Sequence, residues 1–317
     1  MHGDDGGRVV DVRRLGPALR RHPAIANLAV VSVVASAARW TGEDVSLLLM
    51  DPEAPPWELW RHASSALFHG DILHLLFNLY WLLVFGFIVE EAFGAARTLA
   101  LTALLALGSG AWQYGLSGPG IGLSGVGYGY FGLLWVLDRT DRRFRGLMEP
   151  SFVRLFVGWF FFCIVVTWLD IWHIGNVAHG SGAVMGGVLG WAVSRELPRV
   201  RARLAAGGTV VILAAGLSAA TLGRPWLHRF NNEGQLAERR AYTAWLKGDF
   251  HSSALWYGEA ARMRPDDVDP ALGLGLALGR LGRHEEAAKA FERALEIDPE
   301  NEKARRALEG ARRASGR

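Results

Sequence analysis

Seven apolar runs between residues 25 and 222 constrain this chain more than any other feature. Spanning a bilayer core takes about 20 predominantly apolar residues in a helix. Lipid offers the backbone no hydrogen bonds, so each run is expected to be helical. The runs are placed at Ile25–Ala38, Ile72–Val89, Thr98–Ala111, Ser124–Leu137, Phe152–Leu169, Ala178–Val193 and Gly208–Leu222. The first is short and is expected to borrow residues at either end. At 317 residues, 50% hydrophobic and with mean hydropathy +0.15, the chain is too apolar for an average soluble domain and has room for two. The fold class is therefore all-α: a polytopic membrane protein followed by a small helical repeat domain. Its expected divisions are a polar tail (1–24), a six-helix transmembrane core (25–193), a basic loop with the seventh span and a linker (194–235), and repeats (236–317).

Arginines orient the spans. Arg8, Arg13, Arg14, Arg20 and Arg21 lie in the tail, Arg139, Arg142, Arg143 and Arg145 follow the fourth span, and Arg195, Arg199, Arg201 and Arg203 follow the sixth. If spans alternate, all three groups share one side, which the positive-inside rule makes cytoplasmic. The acidic 41–61 loop, with Trp57 and Trp60 suited to a membrane interface, lies on the other side. Ser124 then sits near the outer face, and an odd seventh span puts the C-terminal region outside. This placement accounts for the net charge of +3 without nucleic acid. The single cysteine, Cys163, lies in an apolar run and is expected to be a packed thiol. The polar N-terminus, without an early apolar core, is not expected to be a cleavable signal peptide. Arginine- and alanine-rich composition suits a bacterial plasma membrane.

Residues 234–267 align with 268–301 at an offset of 34, pairing Gly248 with Gly282, Tyr257 with Phe291, Ala260 with Ala294 and Pro265 with Pro299. Leu274-Gly275, Ala287, Phe291, Ala294 and Pro299 resemble the tetratricopeptide pattern of paired helices. The first copy departs from it at Ser253, where alanine is usual. A capping helix is expected over Glu302–Arg313. The resemblance implies a protein or peptide partner; a structural cap is the plainer alternative.

Polar groups inside spans are costly, so each raises a functional hypothesis. His74 and Asn78 share one face of the second span, with His69 near its outer end, and His179 opens the sixth. Gly182, Gly186 and Gly190 make a smooth face on that sixth span, and Gly125, Gly127, Gly129 and Gly132 bare the fourth. Two such helices can pack at nearly backbone distance, bringing Ser124 to His179. A serine hydroxyl needs a base, and neutral imidazole is the usual one. An oxyanion needs preorganised donors; the Asn78 amide, the His74 imidazole and the Ser124 N–H could supply them. Tyr128 could stack on His179, a job that a carboxylate does in a triad. No matching Asp or Glu is evident, so a dyad is expected.

Trp60-Arg61, Phe68-His69, His74-Leu-Leu-Phe-Asn78, Gly86 with Glu90 and Gly94, Gly122-Leu-Ser-Gly125 with Tyr128, and Ala178-His179 with Gly182 and Gly186 together resemble the rhomboid intramembrane serine proteases over residues 25–193. The resemblance implies a six-helix core with Ser124 as nucleophile and His179 as general base. It implies oxyanion roles for His74 and Asn78, a place for His69 beside the active-site mouth, and structural roles for Arg61 and Glu90. Where many relatives carry a further polar residue, this chain has Ser65.

A second Gly-Leu-Ser-Gly at 115–118 is expected to be loop, because Pro119 and Gly120 follow Ser117. A zinc site on His69, His74 and His179 lacks a His-Glu-x-x-His pattern, and no metal or cofactor is expected. His173 is expected to be interfacial rather than chemical, His62 is unassigned, and Glu90 is expected to close a hydrogen-bonded cap rather than move protons. The function expected is cleavage of transmembrane segments that unwind at helix-breaking residues. The alternatives are an inactive rhomboid-like binder of membrane clients and, more distantly, a transporter, for which no inverted repeat is visible.

Overall fold

The computed structural model describes residues 12–51, 54–55, 57–169, 171–172, 174–223 and 233–316. Arg8 and His173 lie outside these residues, as does most of the linker after the seventh run. The described residues are helical with no strand, and they divide into two units, Met1–Arg224 and Pro225–Arg317.

The first unit contains α1 (Val12–Arg21), α2 (Pro23–Trp40), the short α3 (Trp60–Ser64), α4 (Ile72–Phe93), α5 (Ala95–Ser117), α6 (Ser124–Thr140), α7 (Pro150–Trp168), α8 (Asn176–Val193) and α9 (Arg199–Ala220). All seven expected runs are helices, and most are longer than their apolar stretch. The largest differences are instructive. The third run extends six residues beyond Ala111, so Ser117 ends a helix instead of lying in a loop; Gly118, at φ +98°, then breaks it. The seventh begins at Arg199 rather than Gly208, so Arg199, Arg201 and Arg203 ride on the first turns of α9 and not in a loop. The tail is not simply extended, since α1 occupies its second half.

Among the described residues, α2, α4, α5, α7 and α9 are long and apolar enough to cross a membrane. The other two, α6 and α8, are the glycine-rich helices. A helix enclosed by protein needs no apolar surface toward lipid, and α6 is buried along most of its length. Large side chains on α7 face outward instead, including Leu155, Phe161, Phe162 and Trp168.

Carboxylates and arginines fix the frame at both ends. The Glu90 carboxylate, buried near the end of α4, accepts from Ala24 N and Ile25 N at 2.9 Å each. Those are orphan donors at the start of α2, where an anion also complements the helix dipole. Next to it, His22 Nε2 bonds Glu91 at 3.1 Å, and its ring stacks on Phe87. Gly94, at φ +79°, turns α4 directly into α5. On the opposite side of the unit, Arg61 donates to Glu58, to Ser46 O and, at 2.9 Å, to Leu49 O, which orders the loop before α4. Ser65 Oγ accepts from Met50 N in the same loop.

The second unit contains α10 (Glu233–Leu246), α11 (Phe250–Met263), α12 (Val268–Arg280), α13 (His284–Ile297) and α14 (Glu302–Ala314). Gly248 and Gly282, 34 apart, have φ near +75° and close equivalent turns, a conformation that favours glycine. The Tyr257 ring fills the hollow left by Gly273, and the Phe291 ring that left by Gly275. Asn301 Oδ1 caps α14 by accepting from Ala304 N at 3.0 Å. Ser253 is fully buried, and its hydroxyl finds no partner among the described residues.

Candidate active site

Glycines bring the candidate site together. A methyl group added at Gly182 would strike the carbonyl of Gly125, and one at Gly186 the carbonyl of Gly129. In the reverse direction, one at Gly132 would strike the carbonyl of Ala183. The α6–α8 contact is thus backbone on backbone over about two turns, the close approach that small residues permit. Gly127 has no part in it and lines a cavity instead. Gly125 has Ala178 on one side and Ser109 of α5 on the other. This puts the first turn of α6, opening at Ser124, beside the first turn of α8, which carries His179.

The His179 ring is 4% exposed and stacks on Tyr128 with centroids 4.6 Å apart and planes 23° apart. Tyr128 is one turn beyond Ser124 and is itself packed edge-on against Phe156 and Phe160 of α7. His179 Nδ1, the atom that a third carboxylate would hold in a triad, is buried without a hydrogen-bond partner among the described residues. An aromatic clamp therefore orients the imidazole. No Ser124–His179 hydrogen bond is present among the described residues; catalytic bonds of this kind commonly tighten only on a bound substrate.

Histidine tautomers follow from their neighbours. Asp71 caps α4 by accepting from His74 N at 2.8 Å, which anchors the turn. Gly70 N donates to His74 Nδ1 at 3.3 Å, so the ring proton sits on Nε2. That Nε2 lies against Gly122, whose φ of +107° and lack of a side chain both fit the position. His69 lies one ring behind, fully buried, with its centroid 5.0 Å from that of His74. Leu123 N donates to His69 Nε2 at 3.4 Å, and His69 Nδ1 then donates to Ser36 Oγ at 3.2 Å. The His69 carbonyl accepts from Trp40 Nε1 at 3.0 Å. His69 thus lies beneath the loop that delivers Ser124 and ties that loop to α2.

Helix α6 starts without a side-chain cap, and its first intrahelical bond is Gly127 N to Leu123 O at 2.9 Å. The N–H groups of Ser124, Gly125 and Val126 accordingly have no acceptor within the helix. Asn78 spends one amide N–H on His74 O at 2.9 Å and keeps the second. A cavity of about 20 Å³ reaches this point from the side of α4 and α7, lined by Asn78, Trp81, Ser124, Gly127, Tyr128 and Trp159 among others. It has room for about one water molecule. Trp81 Nε1, on its wall, is a buried donor without an acceptor among the described residues.

Two residues important to this geometry escape a reading of spans. Gln113, buried near the end of α5, accepts from Ala178 N through Oε1 at 3.1 Å and also lies against Gly120 and Gly175. It therefore holds the start of α8 one residue before His179. Asn176 donates to Thr167 Oγ1 at 2.9 Å and so links α8 to the end of α7. A glutamine inside a span is the signal that could have found the first; its partner is a backbone N–H, which leaves no trace in sequence. Among the described residues no three His, Cys, Asp or Glu are gathered to hold a metal ion.

A family model described as Rhomboid domain matches residues 56–196, and one described as Tetratricopeptide repeat matches 272–301. The chain is 34% identical over 159 residues to the rhomboid protease GlpG of Haemophilus influenzae, covering 48% of this chain and 80% of that one. It is 32% identical over 153 residues to the rhomboid protease GlpG of an Enterobacter species, covering 47% and 54%. Against the protein of the same name from Klebsiella pneumoniae it is 36% identical over 138 residues, covering 41% and 47%. It thus spans about half the length of the last two.

Proposed function

The chain belongs to the rhomboid family, and from that premise we propose that it is an intramembrane serine endopeptidase working through a Ser124–His179 dyad. The observation that carries this reading is the glycine seam of α6 and α8, which sets the Ser124 turn beside an imidazole already clamped by Tyr128. A serine placed only for packing has no use for a clamped histidine next to it.

In the proposed reaction, His179 takes the Ser124 proton as Oγ attacks the scissile carbonyl carbon. The carbonyl oxygen becomes an oxyanion within reach of the free N–H groups opening α6, the His74 Nε2–H and the spare Asn78 N–H. Collapse of this intermediate breaks the C–N bond, and the imidazolium returns its proton to the departing amine. Water, which the adjoining cavity can admit, then attacks the acyl ester with His179 again as base. The acid product leaves and Ser124 recovers its proton.

A membrane helix must unwind to present a carbonyl here, so substrates with glycine, proline or other helix breakers near the cut are favoured. The aromatic cavity between α4 and α7 adjoins Ser124 on that side of the unit, and a segment entering there would have to part these two helices. The arginine distribution supports an outward-facing site in a bacterial plasma membrane, with the N-terminus cytoplasmic and the repeats extracytoplasmic. The repeats, in this reading, hold a protein or peptide. Reconstituted into vesicles with a reporter transmembrane segment, the wild type should yield two fragments. Ser124→Ala and His179→Ala should each reduce cleavage by at least about a thousandfold; cleavage retained in both would remove the dyad.

A further inference from the structure

The rhomboid-domain match stops at residue 196, before α9, yet α9 packs against both α5 and α8. Its seam with α5 is specific. Trp112 Nε1 donates to Ile212 O at 3.0 Å, and the indole fills the hollow at Gly216, one turn further along α9. A methyl group at Gly115 would meet the backbone of Ala219 at 2.9 Å, and Leu213 lies against Gly108. These pairs run in step along both helices, so α9 lies alongside the outer half of α5 and in the same direction. At its far end Leu217 and Ala220 join Tyr114 and Met50 in a small buried cluster.

The same stretch of α5 faces the dyad. Ser109 touches Gly125, and Gln113, next in sequence to Trp112, holds Ala178 N. Helix α5 is therefore held between α9 on one side and the first turns of α6 and α8 on the other. Met185 of α8 fills the notch at Gly108, and Val188 of α8 lies over Gly208 of α9, so the contact with α8 is also direct. An anchor for a following domain needs only apolar surface toward lipid. An indole hydrogen-bonded to a helix carbonyl and seated on a glycine serves alignment instead.

We propose that α9 is a working part of the catalytic unit, and that Trp112 is a positioning residue that holds Gln113, and through it the start of α8 and His179, in register with Ser124. The proposal rests on the dyad reading given above. Displacing the base by a fraction of a side chain is enough to slow attack without altering how substrate binds, because proximity and alignment govern the chemical step.

The test uses the full chain in vesicles. Gly216→Leu would drive the indole off its seat, Trp112→Phe keeps the ring but removes the bond to Ile212, and Phe144→Leu serves as a destabilised control in a loop apart from the dyad. Two quantities are read: the rate at which a fluorophosphonate labels Ser124 per folded molecule, and hydrogen exchange over residues 176–182. Gly216→Leu should slow labelling about ten- to hundredfold, with kcat on the reporter falling and KM unchanged. Exchange at 176–182 should rise, Trp112→Phe should show smaller changes in the same direction, and Phe144→Leu should label like wild type. Wild-type labelling and unchanged exchange in Gly216→Leu, or losses no greater than those of Phe144→Leu, would reduce α9 to an anchor. If the wild type itself is not labelled, the dyad reading fails, while exchange still decides whether α9 orders the start of α8.

Discussion

The two units use glycine in opposite ways. In the membrane core, Gly182 and Gly186 let the α8 backbone rest on the carbonyls of Gly125 and Gly129. In the repeat unit, Gly273 and Gly275 leave hollows that the rings of Tyr257 and Phe291 fill. The difference follows from the surroundings. In lipid, burying an apolar side chain against another helix gains little over burying it in acyl chains, so helices associate by close packing and by hydrogen bonds. In water, an aromatic ring removed from solvent stabilises the contact directly, by roughly 25 cal/mol per Å² of apolar surface. One glycine pattern brings two backbones together at the candidate site, and the other makes room for a side chain to build a core.

The sharpest way to break this contrast is to add the same methyl group in both places. Gly186→Ala should cost the core more than about 3 kcal/mol, because a helix carbonyl cannot move aside as a side chain can. Thermal unfolding in detergent should show the loss, and reporter cleavage should vanish with it. Gly275→Ala should cost the repeat unit about 1–2 kcal/mol, since Phe291 can shift and alanine favours helix over glycine by about 1 kcal/mol. Reporter cleavage should be retained. Equal damage from both substitutions would mean that the two seams are not different in kind.

Buried polar groups sharpen the comparison. Glu90→Ala leaves two buried N–H groups at the start of α2 without an acceptor, each worth about 1–3 kcal/mol when orphaned. Protease protection of α2 should weaken accordingly. Ser253→Ala should do the reverse. It removes a buried hydroxyl with no partner among the described residues and supplies the alanine found at the equivalent Ala287, stabilising the repeat unit by about 1 kcal/mol in urea titration. A loss of stability there would mean that the hydroxyl has a partner after all.

Much of this was legible in the sequence because it rests on spacing. Glycines four apart on two apolar runs predict a backbone seam. His74 and Asn78 four apart predict one face, and an offset of 34 predicts paired helices. Helix ends were less legible. The seventh apolar run begins nine residues after its helix does, because Arg199, Arg201 and Arg203 look like loop, although long basic side chains at a helix end reach back to the interface. What sequence does not carry is contact with a distant backbone. Gln113 holds an N–H of α8, Glu90 two of α2, and Trp112 a carbonyl of α9, and the partner in each case is a peptide group that almost any residue would supply, proline excepted for the N–H. His69 shows the same limit: its residue type marks it as special, but only the fold shows it under the loop, bonded to Leu123 N.

The most direct test of the central claim is chemical. Membranes containing the wild type, Ser124→Ala and His179→Ala should be treated with a fluorophosphonate, and the site of attachment should be mapped by peptide mass. If the α6–α8 seam builds a nucleophile and its base, the wild type should be modified on Ser124 alone. His179→Ala should react at least about a hundredfold more slowly while remaining folded, and Ser124→Ala should not react. Modification of another serine, or equal reaction with and without His179, would contradict the account.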